Sequence, residues 1–372
     1  MPLHSHVNMV EATRLTVAGR LEEAMAIIQQ LQQMPQSYQI PEWFLRDPMG
    51  TNLSGLFDRL GKSGLSQGLG KMPGHTKKRV QIPLPEGAYF EDRLYTNQAG
   101  SRNYKLYIPS RYRGQQLPLI VMLHGCRQSP DDFAVGTRMN QLGEEQPFLV
   151  AYPGQTPSAN FAKCWNWFSA NHQQRDKGEP SLIAGITRQV MRDLAVDPAR
   201  VYVAGLSAGG AAAAVMGSAY PDLYAAIGVH SGLACGTAKD LPTAFAVMRQ
   251  GGMDPLETAN HPLPTIVFHG DRDHAVSLVN AEQVMAQSGG PAEYQARISR
   301  GQSAGGISYT RTVQSDGAAR SILEQWLLHG TGHAWSGGSP DGSYTDARGP
   351  DASREMLRFF LEHPRRRVNN TD

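Results

Sequence analysis

The sequence is poor in the features that mark a metalloprotein, a disulfide scaffold or a membrane protein. It holds three cysteines, Cys126, Cys164 and Cys235, too few and too scattered for a disulfide framework or a zinc site. Its 12 histidines show no paired metal-ligand spacing, so no metal and no other cofactor is expected. No uninterrupted apolar run approaches the ~18 residues that a membrane-spanning helix needs. The net charge of +2 makes no case for nucleic acid or an acidic substrate. The opening residues M-P-L-H-S-H-V-N-M-V lack the charged start and apolar core of a secretory signal, and a cytoplasmic address is expected. What remains, 40% hydrophobic and 18% charged, describes a soluble globular protein with room for one large domain of about 250–300 residues and an appendage.

Leu15, Ala18, Leu21, Ala24, Met25, Ile28 and Leu31 recur at three and four residues and predict a helical N-terminal segment over 1–49. Such an amphipathic segment can dock on its own domain, on a second copy or on an apolar particle. A stretch rich in Gly, Ser and Lys reads as a flexible linker over 50–79. From 80 to 364 buried strands alternate with amphipathic helices, which predicts a mostly parallel sheet with helices on both faces. The expected elements are strands Tyr89–Thr96, Asn103–Ile108, Leu117–Leu123, Phe148–Tyr152, Val201–Ala204, Ala225–Val229 and Thr265–His269, with two more near Ile307–Gln314 and Ile322–Leu328. The expected helices are Pro130–Gln146, Ser181–Leu194, Ala211–Tyr220, Ser277–Gln287 and Ala352–Glu362. The short stretch between Ser231 and Thr265 leaves room for a small cap, and residues 365–372 read as a frayed tail.

The chemistry centres on V-Y-V-A-G-L-S-A-G-G-A-A-A-A, residues Val201–Ala214. A short buried strand runs straight into a helix, placing Ser207 on a tight corner flanked by glycines, the pattern of a nucleophile elbow. A serine hydroxyl needs an imidazole to take its proton and a carboxylate to orient the imidazole. Both follow in the chain just past strand ends, in F-H-G-D-R-D and H-G-T-G-H. Asp273 is preferred over Asp271, which abuts the glycine turn and is expected to cap the loop or pair with Arg272. His333 is preferred over His329, which still lies in the last strand turn. His124 and His269 are expected to hydrogen-bond within their loops. The N–H groups of Ala208 and Cys126 are placed to receive an oxyanion. Cys164, in C-W-N-W-F, follows another strand end and can lie near Cys126. Whether the two pair is open, and a cytoplasmic address favours thiols. Trp165, Trp167 and Trp335 fall on loops at the same edge and are candidate apolar plates for substrate.

The motifs H-G-C-R-Q-S-P-D-D-F, C-W-N-W-F, G-L-S-A-G-G-A, H-S-G-L, F-H-G-D-R-D and G-T-G-H-A-W-S-G-G together resemble the esterase family of poly(3-hydroxybutyrate) depolymerases, which also contains feruloyl and acetylxylan esterases. The resemblance covers roughly residues 85–362. It implies an α/β-hydrolase fold, a catalytic Ser207–Asp273–His333 triad, and Cys126 as an oxyanion donor. It implies a polyester or small ester as substrate, with stored polymer granules as a possible docking surface. A feruloyl or acetyl(xylan) esterase is the enzymatic alternative, and a granule-surface scaffold with a vestigial hydrolase domain is the non-enzymatic one.

Overall fold

The computed structural model describes residues 84–252, 263–289 and 294–365. The chain divides into Met1–Lys77 and Lys78–Asp372, and all described residues belong to the second unit. The expected helical segment 1–49, the linker 50–79 and the tail beyond 365 lie outside the described residues.

Ten strands form one sheet in the order β1-β2-β4-β3-β5-β6-β7-β10-β9-β8. They are β1 (Tyr89–Asn97), β2 (Gly100–Ile108), β3 (Leu117–Leu123), β4 (Leu149–Pro153), β5 (Val196–Leu206), β6 (Ala226–His230), β7 (Thr265–Gly270), β8 (Gln295–Gln302), β9 (Ser308–Ser315) and β10 (Ser321–Leu328). The central strands from β4 to β10 pair in parallel, while the β1–β2 and β8–β9 hairpins add antiparallel edges. Strand β3, L-P-L-I-V-M-L, is buried along its whole length, as a strand covered on both faces must be. A second, two-stranded sheet joins β11 (Trp335–Ser336) and β12 (Thr345–Asp346).

The helices are α1 (Pro130–Thr137), α2 (Met139–Glu145), α3 (Gly178–Asp193), α4 (Ala208–Ala219), α5 (Leu241–Gln250), α6 (Val279–Gly289) and α7 (Ala352–Glu362). On one face of the sheet, Ile120, Met122, Val150, Tyr152, Tyr202, Ala204 and Phe268 pack with Phe133 and Met139 of α1 and α2 and with Met356, Phe359 and Phe360 of α7. Tyr202 stacks on Phe360 at 4.9 Å. Burying each such phenylalanine contributes about 1.5–3 kcal/mol. Side chains alternate across a strand, so Val201 and Val203, also fully buried, turn to the opposite face. The alanine-rich α4 packs against β3, β5 and β6.

The single helix expected over Pro130–Gln146 is two helices broken at Arg138, which takes a left-handed conformation (φ 57°). Not anticipated were α5, which follows Ser231 in the stretch read as a small cap, the edge strand β8, and the short pair β11–β12.

Candidate active site

Ser207 stands between β5 and α4 with φ 58° and ψ −120°, a backbone state that costs about 1–3 kcal/mol and persists only where the surroundings enforce it. Enforcement comes from packing. A Cβ on Gly205 would collide with the backbone of Gly209, and one on Gly209 with the carbonyl of Leu123, so the corner closes only with glycine two residues to either side. The Ser207 N–H donates to the His230 carbonyl at 2.9 Å. Its hydroxyl takes no hydrogen bond among the described residues.

Asp273 follows β7. Its Oδ1 accepts the N–H groups of Ala275 (2.9 Å) and Val276 (2.8 Å), and its Oδ2 lies 2.7 Å from His333 Nδ1. Burial pushes this carboxyl up. The neighbouring His333, through charge and hydrogen bond, then His269 and the Val276 N–H, outweigh burial and hold it at about 2. An ionised Asp273 accepts only, so His333 carries its proton on Nδ1 and leaves Nε2 as a base.

Asp271 does a different job. Its carboxylate accepts the Gly330 N–H at 2.6 Å and lies 3.0 Å from His329 Nδ1. It therefore caps the loop after β10, with His329 rather than Arg272 as the side-chain partner. Backbone bonds from Asp271 N–H to Leu328 and from Arg272 N–H to Thr331, both 3.0 Å, lock the Asp273 and His333 loops side by side.

The N–H groups of Ala208 and Cys126 donate to no hydrogen bond among the described residues, so both are available to an oxyanion. The Cys126 loop is heavily braced. Cys126 and Cys164 form a disulfide with Cα atoms 4.2 Å apart, which answers the pairing left open by the sequence. Arg127 N–H donates to Ala162 at 2.7 Å. The His124 carbonyl accepts the indole N–H of Trp165 at 3.1 Å, and His124 Nε2 accepts the Gln155 N–H at 3.0 Å. Burial pushes His124 down to about 4, so the ring is neutral. Sequence reasoning missed Gln128, whose buried amide oxygen accepts the Gly125 N–H at 2.9 Å and whose NH2 reaches Asp132 and Ser343.

The three tryptophans are not exposed plates. Trp165 and Trp335 are completely buried and Trp167 nearly so. Trp335 donates to Ser353 Oγ at 3.0 Å and packs on Phe133 and His230, while Trp167 packs edge-on against Phe168. The indole N–H groups of Trp165 and Trp335 find partners inside the protein, which permits full burial. At the β2–β4 end of the same sheet edge lies an open polar cavity of about 650 Å³, lined by Ser101, Arg102, Asn103, Thr156, Asn166 and His172 among others.

A mostly parallel sheet with a strained serine corner after one central strand and an Asp–His pair carried past two others is the α/β-hydrolase fold. The Esterase PHB depolymerase family model matches residues 102–290, and the chain belongs to that family. It is 29% identical over 251 residues to the poly(3-hydroxyalkanoate) depolymerase C of Paucimonas lemoignei, covering 64% of this chain and 59% of that protein. It is 27% identical over 265 residues to an acetylxylan esterase of Coprinopsis cinerea, covering 66% of this chain and 70% of the relative. Among solved structures, the acetyl xylan esterase from Aspergillus awamori shares the fold with a TM-score of 0.55 at 18% identity, over 73% of this chain and 99% of that one.

Proposed function

We propose that the protein is a serine carboxylic-ester hydrolase working through an acyl-enzyme, with hydroxyalkanoate polyester or its oligomers as substrate. The observation that carries the reading is the strained Ser207 corner at the same sheet edge as an Asp273-oriented His333. In the reaction, His333 Nε2 takes the hydroxyl proton as Ser207 Oγ bonds to the ester carbonyl carbon. The oxyanion receives the N–H groups of Cys126 and Ala208. The tetrahedral intermediate collapses, and the alcohol leaves with the proton from His333. Water, deprotonated by the same imidazole, then attacks the acyl-enzyme and releases the acid and free Ser207.

The likeness to depolymerase C supports the polyester arm of the reading. The acetylxylan esterase, of which the match covers 70%, supports an acetyl or feruloyl esterase as the second reading. Amorphous polyhydroxybutyrate granules, crystalline polymer, methyl ferulate and acetylated xylan, assayed side by side, separate the two. Release of 3-hydroxyacid oligomers, fastest from amorphous granules, is expected. Turnover of ferulate or xylan with granules untouched overturns the polyester arm. Ser207→Ala should lower kcat by about 10⁴-fold; an unchanged rate would overturn the Ser207 mechanism, and a parent protein with no turnover of any ester would leave the scaffold role. The setting proposed with this reading is a cytoplasmic polymer granule. Disulfides persist in oxidising compartments, so free thiols in protein taken from cells bear on it. Three would fit the cytoplasm, and Cys235 alone an oxidising compartment.

A further inference from the structure

His230 ends β6 and has no step in the reaction above, yet both halves of the site rest on it. Its carbonyl accepts the Ser207 N–H at 2.9 Å. Its ring Nε2 lies 3.0 Å from the backbone nitrogen of Ser336, three residues beyond His333. The ring is completely buried and stacks on Trp335 (5.1 Å) and Phe268 (5.8 Å). A backbone N–H only donates, so Nε2 holds a lone pair and the neutral ring carries its proton on Nδ1, toward Ser231 Oγ at 3.2 Å. Burial, with repulsion from His269 and His333 added, pushes the group down to about 3. The tautomer therefore holds at neutral pH.

The topology shows why such a link matters. The His333 loop leaves β10, three strands from β5 in the sheet order, or about 14 Å at the usual strand spacing. To meet Ser207 it has to cross the ends of β7 and β6. Past His333, further bonds tie it to the C-terminal segment: Trp335 N–H to Tyr344, Trp335 Nε1 to Ser353, Ser336 Oγ to Pro350. The Ser336–His230 bond is where it lands on the strand beside the nucleophile.

We propose that His230 is a positioning residue that sets the spacing between Ser207 and His333 by accepting one backbone N–H from each segment, through its carbonyl and its ring. The proposal rests on the hydrolase reading. A glutamine places its amide oxygen near the site of Nε2 and can still accept from Ser336. An asparagine is as polar but too short to reach. Each variant is assayed on p-nitrophenyl butyrate, with active sites counted by phosphonate titration and melting temperature recorded. Because a misplacement of about 1 Å costs about 10²-fold, His230→Asn should lose about that factor in kcat per titrated site at similar KM. His230→Gln should stay within about tenfold of the parent. Equal kcat per titrated site in both variants, whatever their melting temperatures, overturns the positioning role and leaves a core residue. If His230→Asn does not fold, the kcat and KM of His230→Gln decide: a loss beyond about tenfold at lowered melting temperature overturns the proposal in the same way. An unmodified protein that hydrolyses no ester fails the underlying reading instead, and the two failures are distinct.

Discussion

Replacing Asp273 by asparagine tests the site at its most sharply defined contact. The carboxylate is buried and fully committed, Oδ1 to two N–H donors and Oδ2 to His333. In Asp273→Asn the amide oxygen has to stay on Ala275 and Val276, since an NH2 group there would set donor against donor. The NH2 then faces His333 Nδ1 and donates to it, which puts the imidazole proton on Nε2, where a base is needed. A triad locked in that tautomer loses about 10⁴ in kcat, or about 5 kcal/mol of transition-state stabilisation. Stability should respond too. The carboxyl is held at about 2 against an ordinary 3.8, so ionised Asp273 contributes about 2 kcal/mol to folding. Because the folded value is depressed, that contribution is whole above about pH 4 and fades as pH falls through about 2. Urea unfolding at pH 7 should show Asp273→Asn weaker by about that amount, the gap closing toward pH 2. A variant with kcat within about tenfold of the parent would refute the claim that Asp273 fixes the tautomer of His333.

Two further perturbations separate chemistry from architecture. Asp271→Asn can keep its amide oxygen on the Gly330 N–H but replaces the carboxylate oxygen that faces His329 Nδ1, and should cost about 0.5–1.5 kcal/mol with kcat nearly unchanged; a collapse of kcat would move the catalytic role to Asp271. Burial holds His124 at about 4 and His230 at about 3, below the ordinary 6.5, so the unfolded chain binds protons that the folded chain refuses. Stability should be full above about pH 6.5 and fall by several kcal/mol toward pH 4, and His124→Gln should flatten that fall in urea titrations.

How far the sequence spoke depends on whether the deciding contact is local. Leu117–Leu123 was readable because seven buried positions in a row leave no alternative. Ala352–Glu362 was readable because a sharp apolar period follows Asp351, whose side chain caps the Arg354 N–H. The elbow was readable because its steric demand falls on residues two apart. Strand β8, Q-A-R-I-S-R-G-Q, was not, since it is almost wholly exposed and lacks a buried face to impose alternation. Helix α5 did carry a signal, the Asp240–Thr243 capping box, which the stretch's Gly, Pro and Met content obscured. Arg138, where the helix breaks, and the buried Trp335 bond partners some 200 and 18 residues away, Gly337 and Ser353, and nothing local announces the break or the burial. The Cys126–Cys164 bond likewise depends on two loops meeting in space.

The strand-end histidines show how one residue type is divided between structure and chemistry. His124, His230 and His269 lie at or just past the ends of β3, β6 and β7, and each ring bonds the backbone of another segment, at Gln155, Ser336 and Val276. A neutral imidazole suits that task because it offers one donor and one acceptor on opposite sides of a rigid ring, so it can join backbone groups of unlike sense where neither helix nor sheet supplies a partner. Burial lowers all three from their ordinary value, which keeps the acceptor nitrogens of His124 and His230 in place at neutral pH; His269 uses Nε2 alone, as a donor to Val276, and its buried Nδ1 has no partner among the described residues. His333 differs in two respects that the others lack together: its ring is partly open to solvent, and it is bonded to a fully buried carboxylate. A proton arriving on His333 is met by the charge of Asp273, whereas one arriving on His230 would find a backbone donor at Nε2 and break the link. The same side chain is therefore a joint where it is dry and faces backbone, and a base where it faces Asp273 and the substrate side.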